Sequence, residues 1–453
     1  MIEHSQASTG QDKDAGWPVL PQAPRSVQET GLELSLLCEL CAKTLYVCGK
    51  AHLPVLATRL RLPVSVLREV LDYLVAEQMA EIAWRGESDI DIQYQLTGPG
   101  RQRAAAWLER SAYTGPAPVP LDVYRAIAQR QAAALPRVTA QDIAAVFAED
   151  CTPPQAREVI GAALHSGRAL FLYGPSGSGK STLARKLGSL LQGVIGVPYA
   201  LAVGPEIVRL YDPAVHQAPT LPQQTRHGGG RNTDARWALC QRPVVQLGAE
   251  LTQPMLDLRR DALHGCHQAP SHLKANHGLL IVDDLGRQRV PADELLARFA
   301  RPLEQQQDVL SLQGASEFAV PFHAVLALVT SQEPELLLDA GALRRVGYKL
   351  HLGPLPDAAY RLLFRQQCRA IGVDADEGAL AYLVDELHRG SGQPLLACFP
   401  REILGRIVDF AAYGGQPPRA SVAAMDQAWA SMFAAAAPQL SSGSESSLFA
   451  RIE

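Results

Sequence analysis

The sequence predicts an α/β fold built on a largely parallel sheet, with a smaller α-helical domain after it and a helix-rich domain before it. Three observations carry this expectation. A short apolar strand, Ala169 to Tyr173, runs into the glycine-rich segment GPSGSGKS and then into a helix. A second apolar strand, Leu279 to Val282, ends directly in two aspartates. Strand-like and helix-like segments alternate to about Leu352, as in a sheet covered by crossover helices.

At 453 residues the chain exceeds one ordinary domain and predicts two or three. A net charge of −4 with 19% charged residues does not mark the whole chain as a nucleic-acid or membrane binder. The eight cysteines are scattered, and MIEHSQASTGQDKDAG lacks the apolar stretch of a secretory signal. Reduced thiols and a cytoplasmic location are therefore expected. Apolar runs such as AVLALV fall far short of the roughly 18 residues of a membrane span, so none is expected.

Residues 1–27 are polar and aperiodic and read as a disordered tail. From Gly31, a leucine-rich helix, VLATRL, and VSVLREVLDYLVAEQ give three helices; MAEIAW and IDIQYQL then alternate around RGESD as a hairpin. That is the order of a winged helix-turn-helix domain over 28–112, with a fourth helix from about Gly100 to Arg110. The prolines of TGPAPVP predict an extended linker, so 113–137 is read as linker and helix. Helices LDVYRAIAQRQAAAL and TAQDIAAVFAED lead into the nucleotide-binding domain, 138–353. From DAAYRLLFRQQCRAIG the signal is helical, giving an α-helical lid over 354–435; the final residues, 436–453, read as a disordered tail.

The loop has the spacing GxxxxGK(S/T) between a strand and a helix, the context in which that motif signals phosphate binding. Gly174, Gly177 and Gly179 let the backbone turn its N–H groups onto phosphate oxygens, with Pro175, Ser176 and Ser178 between them and Thr182 opening the helix. Lys180 is expected to reach the β- and γ-phosphates of ATP, and Ser181 to ligate Mg²⁺. Asp283 follows a buried strand at its carboxyl end, the ligand side of an open α/β sheet, and is expected to be the metal-side acid. Asp284 stands beside it; the competing reading of both is an acidic turn after a core strand.

With these motifs the core resembles AAA+ ATPases, in particular the MoxR-like and related branches with a hairpin before the sensor 1 strand. The resemblance runs from about 138 to 435 and rests on LLIVDD, the hairpin VLSLQGASEFAVP, AVLALVTSQEP, GALRRVGYKLHLGPLP and FPREILGRI. It implies that Asp284 orients the attacking water where ring ATPases usually carry glutamate, so that hydrolysis is slow. It also implies that Ser331 holds the sensor 1 position and Arg345, with Arg344 beside it, the arginine-finger position. Arg401 takes the sensor 2 position, and the assembly is a homo-oligomeric ring, expected to be a hexamer. The winged helix, TGPAPVPL and ATPase order resembles a group of bacterial predicted ATPases without a defined client.

Lys180 and Asp283 are 103 residues apart, against about 60 for two compact crossover units. The excess is placed between Glu206 and Lys274 as a loop around Gly228 to Gly230 and a strand pair; it reads either as a client contact or as a passive loop. From Gln28 to Arg110 nine Lys and Arg face eleven Asp and Glu, and the reading helix carries Arg68 beside Glu69 and Asp72. This lacks the electrostatic footprint of a DNA binder, so protein docking is preferred. Cys38, Cys41, Cys48 and His52 could be drawn as a zinc site, but their spacing matches no common finger, and small hydrophobes packed on a helix account for them better. The leading expectation is an ATP-driven ring acting on a protein client. A nucleic-acid-directed ATPase is the alternative; a small-molecule kinase is disfavoured because it leaves ALRR and FPRE unexplained.

Overall fold

The computed structural model describes residues 20–88, 90–219, 233–261, 265–312 and 317–433. They divide into two compact units, the first holding residues up to 148, 152–174 and 180–351, the second 149–151, 175–179 and 352 onward.

The first unit opens with helix α1 (Leu34–Cys48), whose Leu37, Leu40, Cys41 and Leu45 are buried and which stops at Gly49 with φ 73°. Strand β1 (Lys50–His52), α2 (Leu53–Leu60) and α3 (Val64–Ala76) follow, and Val66, Leu67, Val70, Leu71 and Leu74 of α3 face inward. The hairpin β2 (Ala80–Arg85) and β3 (Ile92–Leu96) is antiparallel, and β1 joins it in the order β1-β3-β2. Ile92, Tyr94 and Leu96 alternate inward along β3, the period-two pattern that fixes its register. Helix α4 (Gly98–Arg110) starts where Thr97 Oγ1 accepts the Gly100 N–H at 3.1 Å. A Cβ on Gly100 would lie 1.8 Å from Met79 O, so only glycine fits there.

Two expectations about this region fail. The segment TGPAPVP is extended, but it is no spacer: Ala117 and Val119 are buried, and Ala117 N–H donates to Leu60 O at 2.8 Å. Strand β4 (Val119–Pro120) forms the edge of a second five-stranded sheet, a place proline tolerates because an edge need not donate on both sides. The tail reading of 1–27 also fails over 20–27. Pro21 O accepts from Asp234 N–H at 3.0 Å, and Val27 N–H donates to Glu69 Oε2 at 2.9 Å. Residues 1–19, the triglycine Gly228 to Gly230 and the tail from residue 434 lie outside the described residues.

Helices α5 (Leu121–Ala134), α6 (Ala140–Val146) and α7 (Pro154–Ser166) lead to strand β5 (Leu170–Tyr173) and helix α8 (Lys180–Leu187). There follow β6 (Val194–Pro198), β7 (Ala200–Val203), β8 (Glu206–Arg209), β9 (Trp237–Gln241), β10 (Val244–Leu247), β11 (Arg259–Asp261), β12 (Cys266–Gln268) and α9 (Ser271–Lys274). The remaining elements of the unit are β13 (Leu279–Val282), α10 (Ala292–Arg298), α11 (Ala300–Gln305), β14 (Gln307–Ser311), β15 (Glu317–Pro321), β16 (Val325–Val329), α12 (Pro334–Leu337), α13 (Ala340–Arg345) and β17 (Tyr348–His351).

The central sheet is fully parallel in the order β10-β13-β16-β5-β17. Every residue of β13 and β16 is buried, as their unbroken apolar runs require of strands covered on both faces. The stretch ADELLARFARPLEQ breaks at Phe299 into two helices, because the ring of Pro302 clashes with a helical carbonyl four residues back. The hairpin of β14 and β15 is antiparallel as expected.

The inserted residues are not one span from Glu206 to Lys274. Strand β10 belongs to the central sheet, so the extra chain forms two excursions on either side of it. With β4 they build the sheet β11-β12-β8-β7-β4, and they form the antiparallel pair β6-β9. Ala200, Ile207 and Cys266 of these excursions share a core with α1, α2 and α3. The excursions thus carry the amino-terminal helices.

A buried arginine fastens this junction. Arg236 takes Asp234 with Nε–Oδ1 at 3.0 Å and Nη2–Oδ2 at 2.8 Å, and its Nη1 donates to Thr30 O at 3.0 Å and Pro118 O at 3.2 Å. Arg236→Ala leaves the buried Asp234 carboxylate with the residue-236 N–H but no cation, and takes the guanidinium donor from two carbonyls, at an expected cost of about 3–5 kcal/mol. Urea denaturation followed by circular dichroism checks this; an unchanged midpoint would show that the junction does not depend on the pair.

The second unit is helical: α14 (Asp357–Ile371), α15 (Glu377–Tyr382), a π-helical turn Leu383–His388, α16 (Arg389–Ser391), α17 (Cys398–Tyr413) and α18 (Val422–Met432). A two-residue pair, β18 (Asp374–Ala375) with β19 (Arg419–Ala420), is its sole strand pairing among the described residues. Tyr360, Phe364, Leu383, Ile403 and Trp429 fill its core, where Tyr360 Oη and His388 Nε2 lie 2.8 Å apart.

Candidate functional site

Three adjacent strands of the central sheet, β13, β16 and β5, deliver the site residues at their carboxyl ends. After β5 the chain turns through Gly174 (φ 133°), Gly177 (φ 84°) and Gly179 (φ 92°), conformations that L side chains resist, which is why glycine stands at these positions. Pro175 and Ser176 lie within this turn, and Ser178 N–H donates to Pro175 O at 3.3 Å. Lys180 opens α8 and is buried, its Nζ donating to Gly174 O at 2.9 Å. Burial lowers the Lys180 pKa, while the carboxylates of Asp283 and Asp284 push it back up. Thr182 follows on α8.

Asp283 is buried at the end of β13 and its carboxylate is fully engaged. Ser181 Oγ donates to Oδ1 at 2.9 Å, Asp284 N–H donates to the same oxygen at 3.0 Å, and Gln246 Nε2 donates to Oδ2 at 2.7 Å. Asp284 is exposed with φ 53°, a left-handed backbone that aspartate accepts more readily than most residues. This gives a local reason for aspartate where the resemblance leads one to expect glutamate. The turn is held by Gln288, whose Nε2 donates to Asp283 O at 2.9 Å.

Gln246 is not among the residues the sequence singles out, because VVQL reads as part of the insertion. Strand β10 pairs with β13 in register, which sets the exposed Gln246 opposite Ile281 and one residue short of the strand ends; the contact depends on this pairing, and no local signal marks it. At the end of β16, Thr330 is buried, with Oγ1 donating to Leu285 O at 2.8 Å. Ser331 follows it, half-buried.

The residues fit a nucleotide phosphate with its divalent cation. The glycines leave the loop backbone open, Lys180 is a buried cation, and the buried Ser178 hydroxyl meets no hydrogen-bonding atom among the described residues. The Ser181–Asp283 pair supplies hydroxyl and carboxylate oxygen, the donors that Mg²⁺ prefers.

The arginines are elsewhere. Arg344 and Arg345 end α13, immediately before β17, and so lie at the amino end of the sheet. Arg345 Nε donates to Glu304 Oε1 at 2.6 Å, and Arg344 Nε to Ala340 O at 3.3 Å. Arg401 is exposed on α17 of the second unit, in which Cys398 N–H donates to Gly177 O at 2.9 Å. Cys38 and Cys41 pack inside α1's core, where burial raises the Cys38 thiol to about 11. Among the described residues no helix is long and apolar enough to cross a membrane.

Comparison with known proteins adds two family matches: an AAA domain over residues 163–319 and a domain of unknown function (DUF8689) over residues 356–431. No curated protein is matched. Similar solved structures include NtrX from Brucella abortus in complex with ATP, 14% identical with a TM-score of 0.38 over 60% of this chain and 54% of that chain. Another is RuvB of Thermotoga maritima, described as a Holliday junction branch migration motor, 14% identical with a TM-score of 0.33 over 65% of this chain and 70% of that one. The chain spans about half the length of the NtrX chains it matches. Residues 163–319 thus match an AAA domain, and the loop within them has the geometry of a P-loop that binds nucleotide phosphate.

Proposed function

We propose that this chain is a Mg²⁺-dependent AAA+ ATPase that assembles into a homo-oligomeric ring, of six subunits by analogy, and uses hydrolysis to remodel or assemble a protein client. The observation that carries the ATPase reading is the constellation of Lys180, Ser181 and Asp283, in which a buried cation stands beside a hydroxyl–carboxylate pair. In this reading ATP phosphates lie along Gly174 to Thr182, Mg²⁺ is held by Ser181 and Asp283, and Asp284 orients the attacking water. Ser331 polarises that water as sensor 1, and Arg401 contacts phosphate as sensor 2 from an α-helical lid.

Residues 28–112 act in this proposal as a winged-helix adaptor for protein. Its support is chemical: α3 and the hairpin expose Tyr73, Ile82 and Trp84, apolar groups of the kind protein interfaces use, and α3 carries Glu69 and Asp72, which repel phosphate. The branch with a hairpin before sensor 1 has support from β14 and β15.

Asp284→Asn tests the chemistry. An amide is tolerated in the same left-handed conformation but cannot accept a proton, so ATP binding should persist while turnover falls by about 10²-fold or more. Unchanged turnover would place the water-orienting group elsewhere. Titrating the full chain with duplex DNA at two salt concentrations tests the adaptor: weak binding is expected, and micromolar affinity with a steep salt dependence would replace the protein client by DNA.

A further inference from the structure

A cavity of about 830 Å³ lies at the amino ends of the central strands, on the opposite side of the sheet from the loop after β5. Its lining contains the residues just before each strand: Arg242 before β10, His277 before β13, His323 before β16, Arg168 before β5 and Gly347 before β17. Arg137, Arg344 and Arg345 complete five arginines, against which Glu304 is the single acid in the lining, an excess of four positive charges. Glu304 is already taken by Arg345. Arg242 donates through Nε to His277 O at 2.6 Å, and burial without a carboxylate in reach pulls its guanidinium down to about 10.

The second observation is independent of charge. His277 is 3% exposed and stacks on His323 with ring centroids 5.4 Å apart. Neither ring nitrogen of His277, nor Nε2 of His323, meets a hydrogen-bonding atom among the described residues. Buried imidazole nitrogens without partners are rare, and these line a cavity whose charged groups, Glu304 apart, are guanidinium donors.

We propose that this cavity binds a small diphosphate-bearing anion, either inorganic pyrophosphate or the diphosphate end of a nucleotide. Its volume is in the range of small-molecule sites, its charge excess matches a diphosphate, and guanidinium forks bind phosphate in bidentate fashion. The imidazole pair adds N–H donors at the floor. The site goes beyond the ATPase reading and does not depend on it.

The test uses the full chain carrying Lys180→Ala, which disables the loop, with inorganic pyrophosphate and ADP titrated separately by calorimetry. Saturable binding of one anion per chain is expected, weakened about tenfold or more by the exposed-residue variants Arg168→Ala and Arg137→Ala and more strongly by Arg242→Gln. Arg345→Ala, whose guanidinium is already paired, should change it less than about threefold. ADP binding at least as tight as pyrophosphate assigns a nucleotide; pyrophosphate alone assigns the inorganic anion. Absence of saturable binding, indifference to all three arginine variants, or dependence on Arg345 alone would overturn the proposal. Loss of binding that accompanies Lys180→Ala itself, compared with the unaltered chain, would assign the anion to the loop and also overturn it. ATP affinity that survives Lys180→Ala but falls with Arg168→Ala would support this site and sink the loop reading, so the two failures are distinct.

Discussion

Lys180→Ala is expected to abolish tight ATP binding. The ammonium is buried beside two carboxylates, an arrangement that needs phosphate charge to balance the lost hydration, and burial already lowers its pKa. Alanine removes the cation that faces the β- and γ-phosphates and leaves their charge in a cleft next to Asp283. Charged hydrogen bonds of this kind contribute about 1.5–3 kcal/mol each, and more than one is lost, so affinity should fall by at least about a hundredfold. Titration with a fluorescent ATP analogue measures it. Circular dichroism should show the fold intact, since the Lys180 ammonium sits at the rim of the sheet and its bond to Gly174 O lies within the loop. Near-normal affinity and turnover would remove the loop from the mechanism.

Arg345→Ala should bind ATP almost normally and hydrolyse it poorly. The loop and Arg345 lie at opposite ends of the sheet, separated by strands of four residues, about 13 Å at 3.3 Å per residue. The guanidinium therefore cannot serve its own nucleotide, and the proposed role is to stabilise the γ-phosphate of a neighbour in the ring. Fingers acting in trans contribute about 10³ to 10⁵ in rate. The pair with Glu304 is exposed and short, so giving it up costs at most about 1 kcal/mol, far less than the gain. Specific activity of the unaltered protein should rise with concentration as rings form. Mixing Arg345→Ala with Lys180→Ala subunits should restore activity at interfaces that pair an intact loop with an intact finger. A fully active monomer would rule out action in trans.

What could be read from the sequence was local. The loop from Gly174 to Ser181, the strand before Asp283, the hairpin β14–β15 and the helices α1, α2 and α3 were visible because each is specified by neighbours in the chain: a motif, a burial period, a turn. The misreadings share one cause. The prolines of TGPAPVP predict a spacer because proline excludes helix, but proline composition says nothing about whether an extended segment is buried. VVQL was assigned to an insertion because short apolar strands look alike wherever they pair. Gln246 was missed with it, since its partner Asp283 is 37 residues away.

By itself, then, the sequence determined which segments form strands and helices and which loop is shaped for phosphate, because glycine, lysine and serine at fixed spacing act through the backbone they occupy. Tertiary structure alone decided four things: that Ser181 and Asp283 meet, that Gln246 holds the second carboxylate oxygen, that Arg236 fastens the amino-terminal helices to the inserted strands, and that five arginines and the stacked pair His277 and His323 line one cavity. The physical reason is sequence distance. Parallel pairing joins segments far apart in the chain, and the order in which strands enter a sheet depends on how their faces pack together, which no local pattern encodes.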